Sequence, residues 1–278
     1  MVDDTRSFHE ANMARNPKHY SLFTKRLPLS FTDWVQNSGS KIYFNPLIPM
    51  RAFNLENDLR KFKYGVVGLE HARHDLTEWT AFALAGRLHK PVLPFIDDSK
   101  LMEEAVEVNR TQALNLALLL SFEKLQLDTV ELATTICELS YKGDIRMRFK
   151  MENPQKVKNI VTGSFAGLSE LYGPKSARVR ALEKRGIVKV TDSHIQLLHT
   201  NGNLQYLFDN VPEAVKKGLK SSVLQLPLPE LQKDVRKNLE KIVLETSLNM
   251  ILSGLYSTDP LKNLSYVYSK FRKGRSKK

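Results

Sequence analysis

The chain has 278 residues, 42% hydrophobic and 26% charged, with a formal net charge of +12. That is enough for about two domains with real cores, and the charge calls for a polyanionic neighbour: nucleic acid, an acidic membrane surface or a phosphorylated substrate. The single cysteine, Cys137 in the apolar run VELATTICELS, excludes an intrachain disulfide and a cysteine-rich zinc site, and no segment reaches the ~20 apolar residues of a spanning helix.

Residues 1–30 read as polar and irregular apart from HYSLF, whose aromatic side chains suit an anchoring role. The start MVDDTRSFHEANMAR carries early acids and no apolar run, so no secretory signal or presequence is expected in it. KIYFNPLIP, from Lys41, is β-rich and ends in prolines, a strand entering a loop. MRAFNLENDLRKF is turn-like and charged, and KYGVVGLE is the second strand. The next helix has Asp75 as N-cap, Glu78 completing a capping box and Gly86 as its left-handed end. Leu76, Trp79 and Ala83 share one of its faces. PVLPFI is a third short strand, and a longer helix runs from about Leu101 through Leu120. Alternating strands and helices predict an α/β layer as far as about Phe122.

LDTVELATTICELSYKG is helical and closes on Gly143, and NPQKVKNIVTGSFAGLSELYG is a second helical segment. SARVRALEKRGIVKVTDSHIQLLHT reads as helix, strand, the turn TDS and strand, an order resembling a winged-helix module. Pro212 to Tyr256 is helical again, interrupted by LPLP. In LKNLSYVYSKFRKGRSKK, Leu261, Leu264, Val267, Tyr268 and Phe271 recur at helical spacing among lysines and arginines, with no acid after Asp259. This predicts a short basic amphipathic helix whose Lys270, Phe271, Arg272, Lys273 and Arg275 meet a membrane. The fold class is α/β (α+β). Residues 1–122 form the first domain, 123–256 a helical, winged-helix-like domain, and 257–278 the basic amphipathic membrane-binding tail.

Two clusters have more than one reading. Arg87, His89 and Lys90 either offset the negative end of a helix or grip a phosphate, arginine as a fork and lysine as a point charge. In YKGDIRMRF, Lys142, Asp144, Arg146 and Arg148 either attend a metal–phosphate pair or form an ion-pair ladder on a half-buried strand. NSGS at 37–40 with Glu56 and Asp58 imitates a polymerase-like nucleotidyltransferase signature, but the proline-broken strand between them turns the carboxylates away from the turn. Cys137 reads as a buried structural thiol. The sequence holds no Walker loop, G-x-G-x-x-G, H-E-x-x-H or G-x-S-x-G, and its seven histidines form no zinc pattern.

The order KIYFN, KYGVV, DLTEWTAFALAGRLHKPV, ELSYKGDIRM and ELYG resembles the mitochondrial translocator assembly and maintenance family, the mitochondrial phosphatidate cytidylyltransferases. AGR-x-x-KPV and Y-x-GD-x-RM are jointly specific, and the similarity runs from Val2 to about Tyr172, then more weakly into the basic tail. The resemblance implies a nucleotidyltransferase-fold domain, a winged-helix-like domain and a membrane-binding end. It also implies Mg²⁺-dependent joining of CTP to phosphatidic acid, giving CDP-diacylglycerol for cardiolipin synthesis and pyrophosphate. The implied place is the matrix face of the mitochondrial inner membrane, as a peripheral protein on an acidic surface. It shifts Arg87 and Lys90 toward anion binding and adds Lys63, with Asp144 and Arg146 as further substrate-binding candidates. No catalytic base or metal ligand is assigned. The family's GSG turn and strand acid would lie upstream of Met1, so the nucleotidyltransferase domain is expected to be incomplete, with metal and CTP poorly held and little or no product formed. The other readings are a winged-helix nucleic-acid binder, motivated by the +12 charge and the hairpin from Gly186 to Thr200, and a catalytically silent membrane scaffold. That hairpin lacks aromatics beside its bases, so no specific nucleic acid is expected.

Overall fold

The computed structural model describes residues 1–49, 61–93, 100–219 and 226–257. The chain divides into two compact units, one gathering Met1–Ala72 with the C-terminal part from Glu245, the other Arg73–Leu244.

In the first unit the N-terminal segment is helical, which corrects the irregular reading. Helix α1 (Thr5–Arg15) is capped by the Asp4 carboxylate, which accepts from the Arg6 and Ser7 amides. A 3-10 turn (Pro17–His19) leads to α2 (Leu22–Arg26), capped by Ser21, and α3 (Leu29–Asn37) follows Pro28. Hydrophobic periodicity missed these helices because what they bury is partly polar. His9 is fully buried, its ring nitrogens bonded to the Tyr20 hydroxyl (2.8 Å) and to Gln36 Oε1 (2.9 Å). Burial lowers the His9 pKa, so the neutral ring is the form that fits there. Gln36 Nε2 in turn donates to the carbonyls of Lys41 (2.7 Å) and Val66 (3.2 Å), tying α3 to the strands. Strands β1 (Ile42–Pro49) and β2 (Lys61–Val67) pair antiparallel, from Ile42 opposite Val67 to Pro49 opposite Lys61. The register shifts between Asn45 and Ile48, around Pro46, where a strand residue lacks its donor. Val2 adds a parallel bridge at Gly68. The core is Tyr20, Val35, Tyr43 and Val66.

Helix α4 (Leu69–Glu78) begins immediately after β2. The second unit continues with α5 (Ala85–Leu88), α6 (Lys100–Leu120), β3 (Gln126–Asp128) and α7 (Thr129–Glu138). After these come α8 (Ile145–Arg148), α9 (Lys156–Gly163), α10 (Phe165–Tyr172) and α11 (Ala177–Lys184). Strands β4 (Val188–Val190) and β5 (His194–Leu197) form the expected hairpin, and α12 (Asn201–Asp209), α13 (Glu213–Lys216) and α14 (Leu228–Ser257) complete the order. The sheet is antiparallel, ordered β3-β5-β4. Helix α6 is the spine: Ala113, Leu114 and Leu116 through Leu119 have no exposed surface, and apolarity all round is the mark of a buried helix. Its last carbonyls are met by α14, Gln232 donating to Leu119 O and Arg236 to Leu120 O, each at 3.0 Å. Cys137 is buried, as expected, and burial pushes its thiol up to about 11.

Four expectations are corrected. Asp75 does not start a helix; it lies in the last turn of α4, which already runs from Leu69. Gly86 is a buried helical residue of α5, and the left-handed backbone falls instead on Trp79 (φ 56°) and Phe82 (φ 50°). Pro91–Leu93 carry no strand, the rest of PVLPFI lying outside the described residues. The alternating segment after Asp144 is α8, not a strand, because Asp144 caps it, accepting from the Arg146 amide at 2.8 Å. Glu56, Asp58 and the tail candidates Lys270, Phe271, Arg272, Lys273 and Arg275 lie outside the described residues.

Candidate functional site: a cationic cluster around Tyr141

Arg87 is presented by a loop that the protein fixes from several sides. The Asp75 carboxylate, 6% exposed, accepts from five successive amides: Ala81 (3.0 Å), Phe82 (2.6 Å), Ala83 (3.0 Å), Leu84 (2.7 Å) and Ala85 (3.1 Å). An acid near the end of one helix is disfavoured by that helix's dipole, but here it satisfies the orphan donors opening the next one. The Trp79 indole donates to Asn109 Oδ1 (2.8 Å), and Asn109 Nδ2 donates to Ala85 O (3.0 Å). Arg110 Nε reaches Leu88 O (3.3 Å), and the Tyr172 hydroxyl donates to His89 O (2.5 Å). Four residues of helix, α5, are thereby bolted to α6 and α10.

Lys90 points inward. Its Nζ, on a residue only 6% exposed, is 2.5 Å from Gly86 O, 2.7 Å from Ser140 Oγ and 2.9 Å from His89 Nε2, so its three donor positions are all used. It also lies 5.5 Å from the Tyr141 ring centre. Burial, with Arg87 adding repulsion, lowers its pKa to about 7. His89 is fully buried; desolvation first, then the Lys90 charge, holds its pKa well below the ordinary value, and its Nδ1 has no hydrogen-bond partner among the described residues.

Asp144 is also committed. Its carboxylate forks onto Arg146, Oδ1 accepting from Nε (3.0 Å) and Oδ2 from Nη2 (2.6 Å), besides capping α8. The ion pair is 4% exposed on the Asp144 side and 43% on the Arg146 side, so the guanidinium is held in one pose with its outer edge in solvent. Gly143 (φ +91°) makes the turn beforehand, packed against the backbone of Glu240. Burial raises the Tyr141 pKa, while the Arg146 and Arg87 charges pull it down. The hydroxyl therefore lies in the field of both guanidinium groups. Arg87 with Lys90, and Asp144 with Arg146, two pairs over fifty residues apart in sequence, thus come near one tyrosine of the second unit.

Among the described residues, no group of three or more His, Cys, Asp or Glu is placed to hold a metal ion. With Asp75 and Asp144 both spent on hydrogen bonds, the cluster can offer an anion guanidinium forks and a phenol, but not a carboxylate set for a resident magnesium. Lys63 belongs to the first unit, exposed on β2 with its Nζ 4.2 Å from the Phe44 ring centre. Sequence reasoning missed Ser140, Tyr141 and Tyr172. The motif Y-x-GD-x-RM begins at Tyr141, which was the available signal.

The sequence profile of one family, described as "Phosphatidate cytidylyltransferase, mitochondrial", matches residues 1–273. The chain belongs to that family. A protein of that name from Drosophila melanogaster is 31% identical, the match covering 98% of this chain and 83% of the fly protein. The Xenopus laevis protein of that name is 30% identical over 98% of this chain and 81% of its own length, and the Schizosaccharomyces pombe one 29% over 98% and 72%. These family members are named mitochondrial, and none of this chain's described helices is long and apolar enough to cross a membrane.

Proposed function

We propose that this chain transfers the cytidylyl group of CTP to phosphatidic acid, forming CDP-diacylglycerol and pyrophosphate. Membership of the family over residues 1–273 carries this reading, and it favours lipid nucleotidyl transfer over the nucleic-acid and silent-scaffold alternatives. A phosphate oxygen of phosphatidic acid attacks the α-phosphorus of CTP, and the bond to the β-phosphate oxygen breaks. Chemistry of this kind is positioning and charge stabilisation. Arg87 and Arg146 are suited to it as forks that neutralise phosphate oxygens, and Asp144 keeps the second fork aimed. Lys90 braces the turn that carries Arg87 through its bonds to Gly86 O and Ser140 Oγ, and Lys63, on the first unit, is a separate anion-binding candidate. Magnesium would enter as the counterion of the nucleotide substrate, supplying charge neutralisation for its phosphates.

The proposed place is the matrix face of the mitochondrial inner membrane, where the protein works peripherally on an acidic surface and its product feeds cardiolipin synthesis. The test uses the protein purified from its native cells with labelled CTP, Mg²⁺ and phosphatidic acid vesicles. Labelled CDP-diacylglycerol and pyrophosphate should appear in equal amounts. CTP consumption without a lipid product would overturn the reading.

A further inference from the structure

We propose that Leu22, Phe23 and Trp34 form the point at which the first unit enters the interface of an anionic bilayer. Leu22 is 58% exposed, Phe23 50% and Trp34 54%. The rings are continuous: Phe23 meets Phe31 edge-on at 5.6 Å, and Phe31 meets Trp34 at 5.7 Å. Their outward pose is built in. On α2, Ser21 and Thr24 are buried, bonded to each other at 2.8 Å, with Thr24 Oγ1 also 3.4 Å from the Tyr43 hydroxyl. That fixes the rotation of α2 and turns Leu22 and Phe23 to solvent. On α3, Val35 and Gln36 are the inward residues, 2% and 1% exposed, leaving Trp34 on the outer face.

The charge around this ledge selects the partner. No acid occurs from Ala11 to Thr32, and Asp33, beside Trp34, is paired with Arg6 at 3.4 Å, while Arg15, Lys18, Lys25 and Arg26 are exposed. Indole and phenyl rings prefer the headgroup level of a bilayer, and a basic surround adds attraction to anionic lipid. Shallow apolar insertion with cationic flanks is the two-signal mode of peripheral membrane binding. An acidic protein partner would satisfy the charges, but has no comparable call for an indole standing out from a basic rim. The inference rests on the proposed lipid substrate and names a contact separate from the candidates between Lys270 and Arg275.

The two tryptophans make the test clean, because Trp79 has no exposed surface and Trp34 is over half exposed. The full chain is mixed with phosphatidylcholine vesicles with and without phosphatidic acid, and tryptophan emission is read alongside co-sedimentation. Anionic vesicles should shift the emission to the blue, and bromine-labelled acyl chains should quench it. Trp34→Phe should abolish both effects. Leu22→Ser with Phe23→Ser, and separately Lys25→Gln with Arg26→Gln, should each lower vesicle partition by roughly tenfold. Sedimentation with vesicles while Trp34 emission stays unshifted and unquenched would overturn this contact, leave the membrane reading intact and mark the ledge as a protein-binding surface. Failure to sediment at all would overturn both, while CDP-diacylglycerol formation would still be judged by its own assay.

Discussion

Replacing Lys90 by methionine should change how stability depends on pH, and the sign follows from the site. In the fold, burial lowers the lysine from 10.5 to about 7. Between those values the unfolded chain binds a proton that the folded chain does not, so stability rises with pH across that window, by at most about 1.4 kcal/mol per pH unit. Below pH 7 the lysine is charged in both states, and the full penalty of burying that charge, on the order of 3–5 kcal/mol, is present. Methionine fills the space without titrating, but leaves Gly86 O, Ser140 Oγ and His89 Nε2 without their hydrogen-bond partner, a loss of about 1–3 kcal/mol. The variant should therefore be the less stable protein near pH 9.5, and the difference should shrink and then reverse as pH falls toward 6. Cys137, raised from 9.0 to about 11, and His89, held below its ordinary value, shift the pH curves of both proteins alike, so the comparison isolates Lys90. Urea unfolding at half-unit pH steps would measure this through Trp79 emission, with Trp34→Phe in both proteins so that only the second unit reports. Parallel pH curves for the lysine and methionine proteins would refute the argument.

Arg87→Ala should lower turnover by tenfold or more while changing stability by less than about 0.5 kcal/mol, since the side chain is exposed; steady-state kinetics beside thermal melts separate the two. Gly143→Ala should cost more than about 3 kcal/mol in urea titrations, because the new methyl would sit 2.8 Å from Glu240 Cα in a backbone of φ +91°. Asp75→Asn should cost about 2–4 kcal/mol, since an amide offers one acceptor where five donors converge and turns its own N–H toward the others; faster hydrogen exchange at residues 81–85 would locate the damage.

The parts of the fold legible in the sequence were those where periodicity matches burial: β1, β2, α6, α7 and the β4–β5 hairpin. Helix α1 escaped because its buried residue is a histidine held by hydrogen bonds, which a hydrophobic pattern cannot register. Helix α8 escaped because Ile145, Met147 and Phe149 alternate like a strand, while the aspartate ahead of them sets a helical turn. At the cationic cluster, residue types and motif spacing named Arg87, Lys90, Asp144 and Arg146. Their convergence on Tyr141 depends on how α5 is bolted to α6 and α10, which no local pattern contains. Asp75 was legible as a helix cap, yet it caps the following helix from the end of the preceding one.

Five amides converging on one point make a receptor for an oxyanion of the kind that loops elsewhere offer to phosphate. Here the receptor is filled by a carboxylate of the same chain, so residues 81–85 have no main-chain donors left for a substrate. Under the proposed function, recognition of phosphate near α5 then falls on the long Arg87 side chain standing on a rigid base. A main-chain cradle matches a single arrangement of oxygens. Under the proposed function, the exposed Arg87 guanidinium on its flexible stem would follow a phosphoryl group as its bonds lengthen and a new charge appears on the departing fragment, while the loop beneath it stays fixed.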